Sequence, residues 1–135
     1  MEIEKFKIWW DRDLDVCHIV LLGDQDEESA YRAVEKEQEM MDYAKENNIV
    51  DIGILYDIRE SGKATTKAKQ IFATYAKKLE KEFPGSRIAY VGGSKITILT
   101  SMFIHKIGGM RNAIKYFVDD VEALKWLNET RVTKR

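Results

Sequence analysis

The chain has one cysteine, one proline and two histidines in 135 residues, and it is short of charge of either sign in excess. Each scarcity excludes something. A lone Cys17 cannot close an intramolecular disulfide, and it fits a reducing, cytoplasmic setting. His18 and His105 belong to no metal-ligand or nucleophile spacing. No apolar run approaches the roughly 20 residues needed to cross a bilayer, and Met1-Glu-Ile-Glu-Lys5 lacks the apolar core of a signal peptide. Lys and Arg total 22 against 23 Asp and Glu, a formal net charge of −1. Phosphate neutralisation needs a basic surface, so nucleic acid is not an expected partner. The carboxylates form no recognisable acid–base pair, so no enzymatic activity and no cofactor are expected. Proline-rich linkers, low-complexity segments and repeats are missing too, so residues 1–135 read as a single domain. At this length about two-thirds of the unfolded surface can be buried without a metal or disulfide staple.

What is present is organised around the stretch from Ile49 to Phe83. The run Ile49-Val-Asp-Ile-Gly-Ile-Leu-Tyr-Asp-Ile58 is apolar on both faces of a strand. Arg59-Glu-Ser-Gly-Lys-Ala64 then reads as a polar loop. Ala68, Ile71, Phe72, Tyr75, Ala76, Leu79 and Phe83 recur at helical spacing from Thr65, and Pro84-Gly85 stops that helix. A doubly apolar strand, a loop and a helix make the unit of an α/β sheet covered by helices. A ligand is expected near the C-terminal end of that strand.

Upstream, Phe6–Trp10 and Val16–Leu22 are two strands of a hairpin joined by Asp11-Arg-Asp-Leu-Asp15. Trp9 and Trp10 must point to opposite faces, one into the core and one onto a helix or an interface. Cys17, Ile19 and Leu21 share one face, which makes Cys17 a small core residue. Gly23-Asp-Gln-Asp26 breaks the second strand, and Asp24 or Asp26 caps a long helix ending near Asn47 or Asn48. The acidic stretch Glu35 to Glu39 reads as a solvated face. Downstream come a strand over Arg87–Val91, the turn Gly92-Gly93-Ser94, and a helix from Lys95 to Ile107 ended by Gly108-Gly109. A strand over Ala113–Val118 and a last helix capped by Asp119 or Asp120 complete the chain. The fold class is α/β, a mixed five-stranded sheet flanked by about four helices. In the third helix Ile96, Leu99, Phe103 and Ile107 are expected to face the core. Ile98, Met102 and Ile104 fall on other faces, and Met102 and Phe103 suit an acyl chain or a dimer contact.

The segments Ile54-Leu-Tyr-Asp-Ile58, Lys67-Ala-Lys-Gln-Ile-Phe72, Ile88-Ala-Tyr-Val-Gly-Gly-Ser94 and Val121-Glu-Ala-Leu-Lys-Trp-Leu127 follow one another in an order and spacing that resembles the SpoIIAA-like family. That family is related to the STAS domains of anti-sigma-factor antagonists, with a likeness to CRAL-TRIO lipid-binding domains. The resemblance implies a mixed sheet flanked by helices and no catalysis. Antagonists of this kind carry a phosphorylatable serine in an Asp-Ser-Ser-Gly-type run at the start of the helix after the central strand. Lys63-Ala-Thr-Thr-Lys67 stands there in this chain. Thr65 and Thr66 are therefore phosphorylation candidates, although the motif itself is absent and a simple helix cap is the favoured account of one threonine.

The candidate ligand site comprises Arg59, Ser61, Lys63, Thr65, Thr66 and Lys67, with Gly92, Gly93, Ser94 and Lys95 at the next helix start and Met102 and Phe103 beyond. Helix-start amides, hydroxyls and lysines on one sheet edge can hold an anion. Gly92-Gly93-Ser94-Lys95 lacks the upstream glycine of a phosphate-binding loop, which excludes an ATPase. The leading expectation is a non-enzymatic regulatory module for a protein partner or a small anionic or lipid-like ligand. Alternatives are a phospho-switched antagonist and an enzyme with an unrecognised site. A homodimer through the third helix is a further expectation.

Overall fold

Alternating apolar residues build the sheet, and the direction of each crossover decides where the helices go. In the computed structural model, which describes residues 4–108 and 113–129, the strands are β1 (Phe6–Asp11), β2 (Val16–Gln25), β3 (Gly53–Ala64), β4 (Arg87–Val91) and β5 (Ala113–Phe117). They lie in the order β1-β2-β3-β4-β5, with β1 antiparallel to β2 and every other pair parallel. The helices are α1 (Glu27–Glu46), α2 (Thr66–Glu82), α3 (Lys95–Gly108) and α4 (Asp120–Asn128). Three successive crossovers step the same way along the sheet, so the usual right-handed connection places α1, α2 and α3 on one face. The chain returns after β5, and α4 covers β3, β4 and β5 from the other side. This is the α/β mixed sheet with four helices read from the sequence.

The central strand is buried on both sides, as its apolar run requires. Ile54 and Ile58 join Cys17, Ile19, Met41, Leu79, Phe83 and Ile88 beneath α1 and α2. Leu55 faces the other way, with Val16, Ala89, Val91, Ala123 and Leu127 under α4. Arg87 pins α4 by donating from Nη1 to the Trp126 carbonyl at 2.7 Å while its guanidinium lies 5.2 Å from the Trp126 ring. Cys17 is buried, and desolvation pushes its thiol well above its ordinary value. Trp10 packs against Tyr43 of α1, and exposed Trp9 stacks on His18 at 4.8 Å.

Two boundaries differ from the sequence reading. Gly23-Asp-Gln does not break β2, and Arg59–Ala64 is not a loop. Both segments extend as a paired ribbon, with Leu22 opposite Glu60, Gly23 opposite Ser61 and Gln25 opposite Ala64. Two register shifts accommodate it, and Asp24 Oδ1 accepts the Lys63 amide at 2.8 Å. A β-bulge lets such turn-prone residues stay in a ladder while bending it. The helix starts are as read: Asp26 caps α1 in a reciprocal box with Ser29, Thr65 caps α2 and Asp119 caps α4. Gly109 lies outside the described residues.

Candidate functional site

β3 outlasts β4, and the gap this leaves is where the candidate site forms. β4 pairs with β3 only as far as Asp57 opposite Val91. Beyond that point the β2–β3 ribbon stands away from the sheet, and α2 and α3 pack beside it. A cavity of about 60 Å³, open on one side, lies among these elements. Leu21, Gln25, Ile58, Ser61, Gly62 and Ala64 line it from the ribbon, Phe72 and Ala76 from α2, and Thr100, Ser101 and Ile104 from α3. Tyr56 and Tyr90 complete the wall from the sheet. A mostly apolar concavity with a few convergent polar groups, at the C-terminal edge of parallel strands, is the usual setting of a small-molecule site.

The tyrosines belong to a ladder. Tyr56, Tyr90 and Tyr116 occupy matched positions on β3, β4 and β5. Their rings stack at 4.9 Å and 5.1 Å, nearly parallel. The Tyr90 and Ser101 side chains share a hydrogen bond, which ties α3 to the sheet. Behind Tyr56 sits Glu37 of α1, only 1% exposed. Its Oε1 accepts from the Tyr56 hydroxyl at 3.1 Å, and its Oε2 is buried without a hydrogen-bond partner. Desolvation raises the Glu37 carboxyl from an ordinary 4.5 to about 8, opposed by the Tyr56 hydrogen bond. Burial also drives Tyr56, Tyr90 and Tyr75 upward, with the Glu37 charge adding to each shift. Glu37 corrects the sequence reading of Glu35 to Glu39 as wholly solvated. It falls on the inner stripe of α1, between Ala33 and Met41, which are both fully buried.

The residues singled out from sequence are divided among several places. Ser61 stands on the cavity wall. Arg59 points to the opposite face of the sheet, where its guanidinium holds Asp57 through Nε to Oδ1 at 3.0 Å and Nη2 to Oδ2 at 2.7 Å. That pairing draws the Asp57 carboxyl below its ordinary value. The Arg59 stem covers Gly92, where an added Cβ would overlap Arg59 Cγ. Gly93 backs onto Ile58 in the same way, and the Ser94 carbonyl accepts from the Ile98 amide in the first turn of α3. Lys63 and Lys95 are exposed and do not line the cavity, while Lys67 borders a separate groove between α1 and α2. Thr65 accepts the Ala68 amide at 3.1 Å, and Thr66 is exposed in the first turn of α2. Thr65→Ala should lower stability by about 1 kcal/mol through loss of that cap, measured by urea unfolding; an unchanged midpoint would remove the cap's role.

Met102 and Phe103 lie on the outer surface of α3 with Leu99, 51%, 52% and 54% exposed respectively. This reverses the expected orientation for Leu99 and Phe103. Ile98 and buried Ser101 take the inner stripe instead, because the Ser101 side chain meets Tyr90 there. The side chains of Ile96, His105 and Ile107 lie outside the described residues. Among the described residues no group of three His, Cys, Asp or Glu side chains is placed to hold a metal ion, and no helix is long and apolar enough to cross a membrane.

No family model and no curated protein matches the chain. Solved structures do. One is an uncharacterized protein of the DUF3478 family with a SpoIIAA-like fold from Shewanella loihica PV-4, 20% identical, with 90% of this chain and 91% of that one covered and a TM-score of 0.62. A second is the anti-sigma factor antagonist SpoIIAA in its unphosphorylated form, 13% identical over 92% of this chain and 98% of that one, with a TM-score of 0.62. The Bacillus cell fate determinant SpoIIAA in its phosphorylated form is 12% identical over 90% and 97%, with a TM-score of 0.61. Likeness at such low identity concerns the path of the backbone, and by that measure the chain has the SpoIIAA-like fold.

Proposed function

We propose that this protein is a non-enzymatic binding module that takes a small, apolar, lipid-like ligand into the cavity between the β2–β3 ribbon, α2 and α3. The cavity is the observation that carries this reading: its walls are mainly aliphatic and aromatic, and its polar groups are few and convergent. Each methylene withdrawn from water there contributes about 0.8 kcal/mol, so a short alkyl chain offsets the cost of its own ordering. The description of a fold neighbour as an anti-sigma factor antagonist supports binding over catalysis. The Thr65 hydroxyl already serves the α2 cap, which lends no weight to a phosphate-switched reading.

The test is titration with Nile red, a neutral apolar dye. Saturable, one-to-one enhancement of its emission is expected. Thr100→Trp, which fills the mouth from α3, should weaken it roughly tenfold or more, about 1.4 kcal/mol. Absent or non-saturable enhancement, or a Thr100→Trp variant that binds as the parent does, would remove the cavity as the site.

A second reading has its own observation. Leu99, Met102 and Phe103 form a contiguous exposed apolar face, a surface suited to a protein partner or a second copy of this chain. Sedimentation velocity checks the second-copy form, with a dimer dissociated by Met102→Glu expected. A monomer at all concentrations would sink that form.

A further inference from the structure

The Nile red titration asks whether the cavity binds; the chemistry of its wall restricts what it binds. Among the described residues no charged side chain lines it, and every polar group there is neutral: Gln25, Tyr56, Ser61, Tyr90, Thr100 and Ser101. Gln25 is already committed, donating to the Lys5 and Leu22 carbonyls and accepting from Ser29. The Tyr90 and Ser101 side chains are bonded to each other. The Ser61 and Thr100 hydroxyls make no side-chain hydrogen bond within the described residues. Each therefore has a hydroxyl to give a ligand. Behind the wall stands an acid, Glu37, one hydrogen bond from Tyr56. The cations of this edge are elsewhere: Lys63 and Lys95 do not line the cavity, Lys67 borders another groove, and Arg59 is tied to Asp57 across the sheet.

Resting on the cavity reading, we propose that this site selects an uncharged amphiphile, an alkyl chain ending in a hydroxyl or carbonyl, and rejects the corresponding carboxylate. A hydroxyl head keeps its hydrogen bonding through Ser61 or Thr100. A carboxylate head would enter without a counter-ion and face a second carboxyl behind the wall, and an ion so placed loses far more on leaving water than a hydroxyl does. The selection is by charge and not by chain length, so alkyl chains of equal length should be separated by their heads alone.

The experiment is displacement of Nile red from the full chain at pH 7.5 by 1-decanol and, separately, by decanoate. Decanol should displace the dye, with decanoate weaker by roughly tenfold or more. Thr100→Lys, which sets a cation on the wall, should improve decanoate by roughly tenfold while decanol gains nothing. Equal displacement by the two compounds overturns charge selection and leaves the cavity reading intact. So does a Thr100→Lys variant with no gain for decanoate. If neither compound displaces bound dye, the alkyl class itself is wrong and the inference falls alone. If the dye never binds, the cavity reading fails and takes this inference with it.

Discussion

Glu37→Gln is expected to flatten the pH dependence of folding stability between about pH 5 and pH 9. In the parent protein the Glu37 carboxyl rises from 4.5 to about 8 on folding, chiefly because burial disfavours its charged form. The folded state therefore binds the proton more tightly than the unfolded chain. The contribution is fully present below pH 4.5 and is lost as pH rises toward 8, because folding in that window must keep or recapture a proton. The slope is at most about 1.4 kcal/mol per pH unit. The groups facing Glu37 do not confuse the measurement. Cys17 from β2, Tyr56 from β3, Tyr75 from α2 and Tyr90 from β4 are all pushed upward by burial, and all are present in both proteins, so the comparison isolates position 37. Glutamine keeps an acceptor for the Tyr56 hydroxyl but cannot ionise. The variant should thus lie within about 1 kcal/mol of the parent at pH 5 and exceed it by roughly 2–4 kcal/mol at pH 9. Urea unfolding at four pH values checks this. Parallel curves for the two proteins would mean that the carboxyl is solvated, contrary to its burial.

Glu37 also marks where the sequence was readable and where it was not. Local patterns carried the strands, the helix caps and the order of elements, because alternation, capping and glycine placement act within a few residues. Asp26, Thr65 and Asp119 each take the cap that their side chains favour. The apolar stripe of α1 runs through Ala30, Ala33, Met41 and Ala44, and position 37 falls in its gap. A charged residue inside an otherwise apolar stripe was the available signal, obscured by the four polar neighbours from Glu35 to Glu39. A second signal was equally present: Ile54-Leu-Tyr56, Ile88-Ala-Tyr90 and Ile114-Lys-Tyr116 repeat one pattern on three strands, which places the tyrosines in register. The ribbon was less legible. Gly23-Asp-Gln and Arg59–Ala64 have turn-forming composition, and only their pairing across the fold makes them strands. The outer face of α3 was hidden for a similar reason, since counting apolar residues favours Leu99 and Phe103 as the inner stripe. The Ser101 contact with Tyr90 selects the other one. The cavity follows from these long-range choices and could not be located before them.

Gly93→Ala is expected to destabilise the fold by about 2–4 kcal/mol, and Gly23→Ala by about 1 kcal/mol. Both glycines have positive φ, +94° and +68°, so alanine is strained at either place. They differ in surroundings. Nothing lies within 4 Å of a Cβ built on Gly23, whereas one on Gly93 would come 2.8 Å from Ile58 Cδ1 and 2.9 Å from Cγ1. Ile58 is buried and forms part of the cavity wall, so it has one direction in which to yield. The difference between the two variants in urea unfolding therefore isolates the cost of moving that wall. A larger loss for Gly93→Ala, together with weakened Nile red binding, is the result expected of a rigid, preformed cavity. Equal losses would mean that Ile58 swings into the space without penalty, and a site of that kind takes its shape from the ligand.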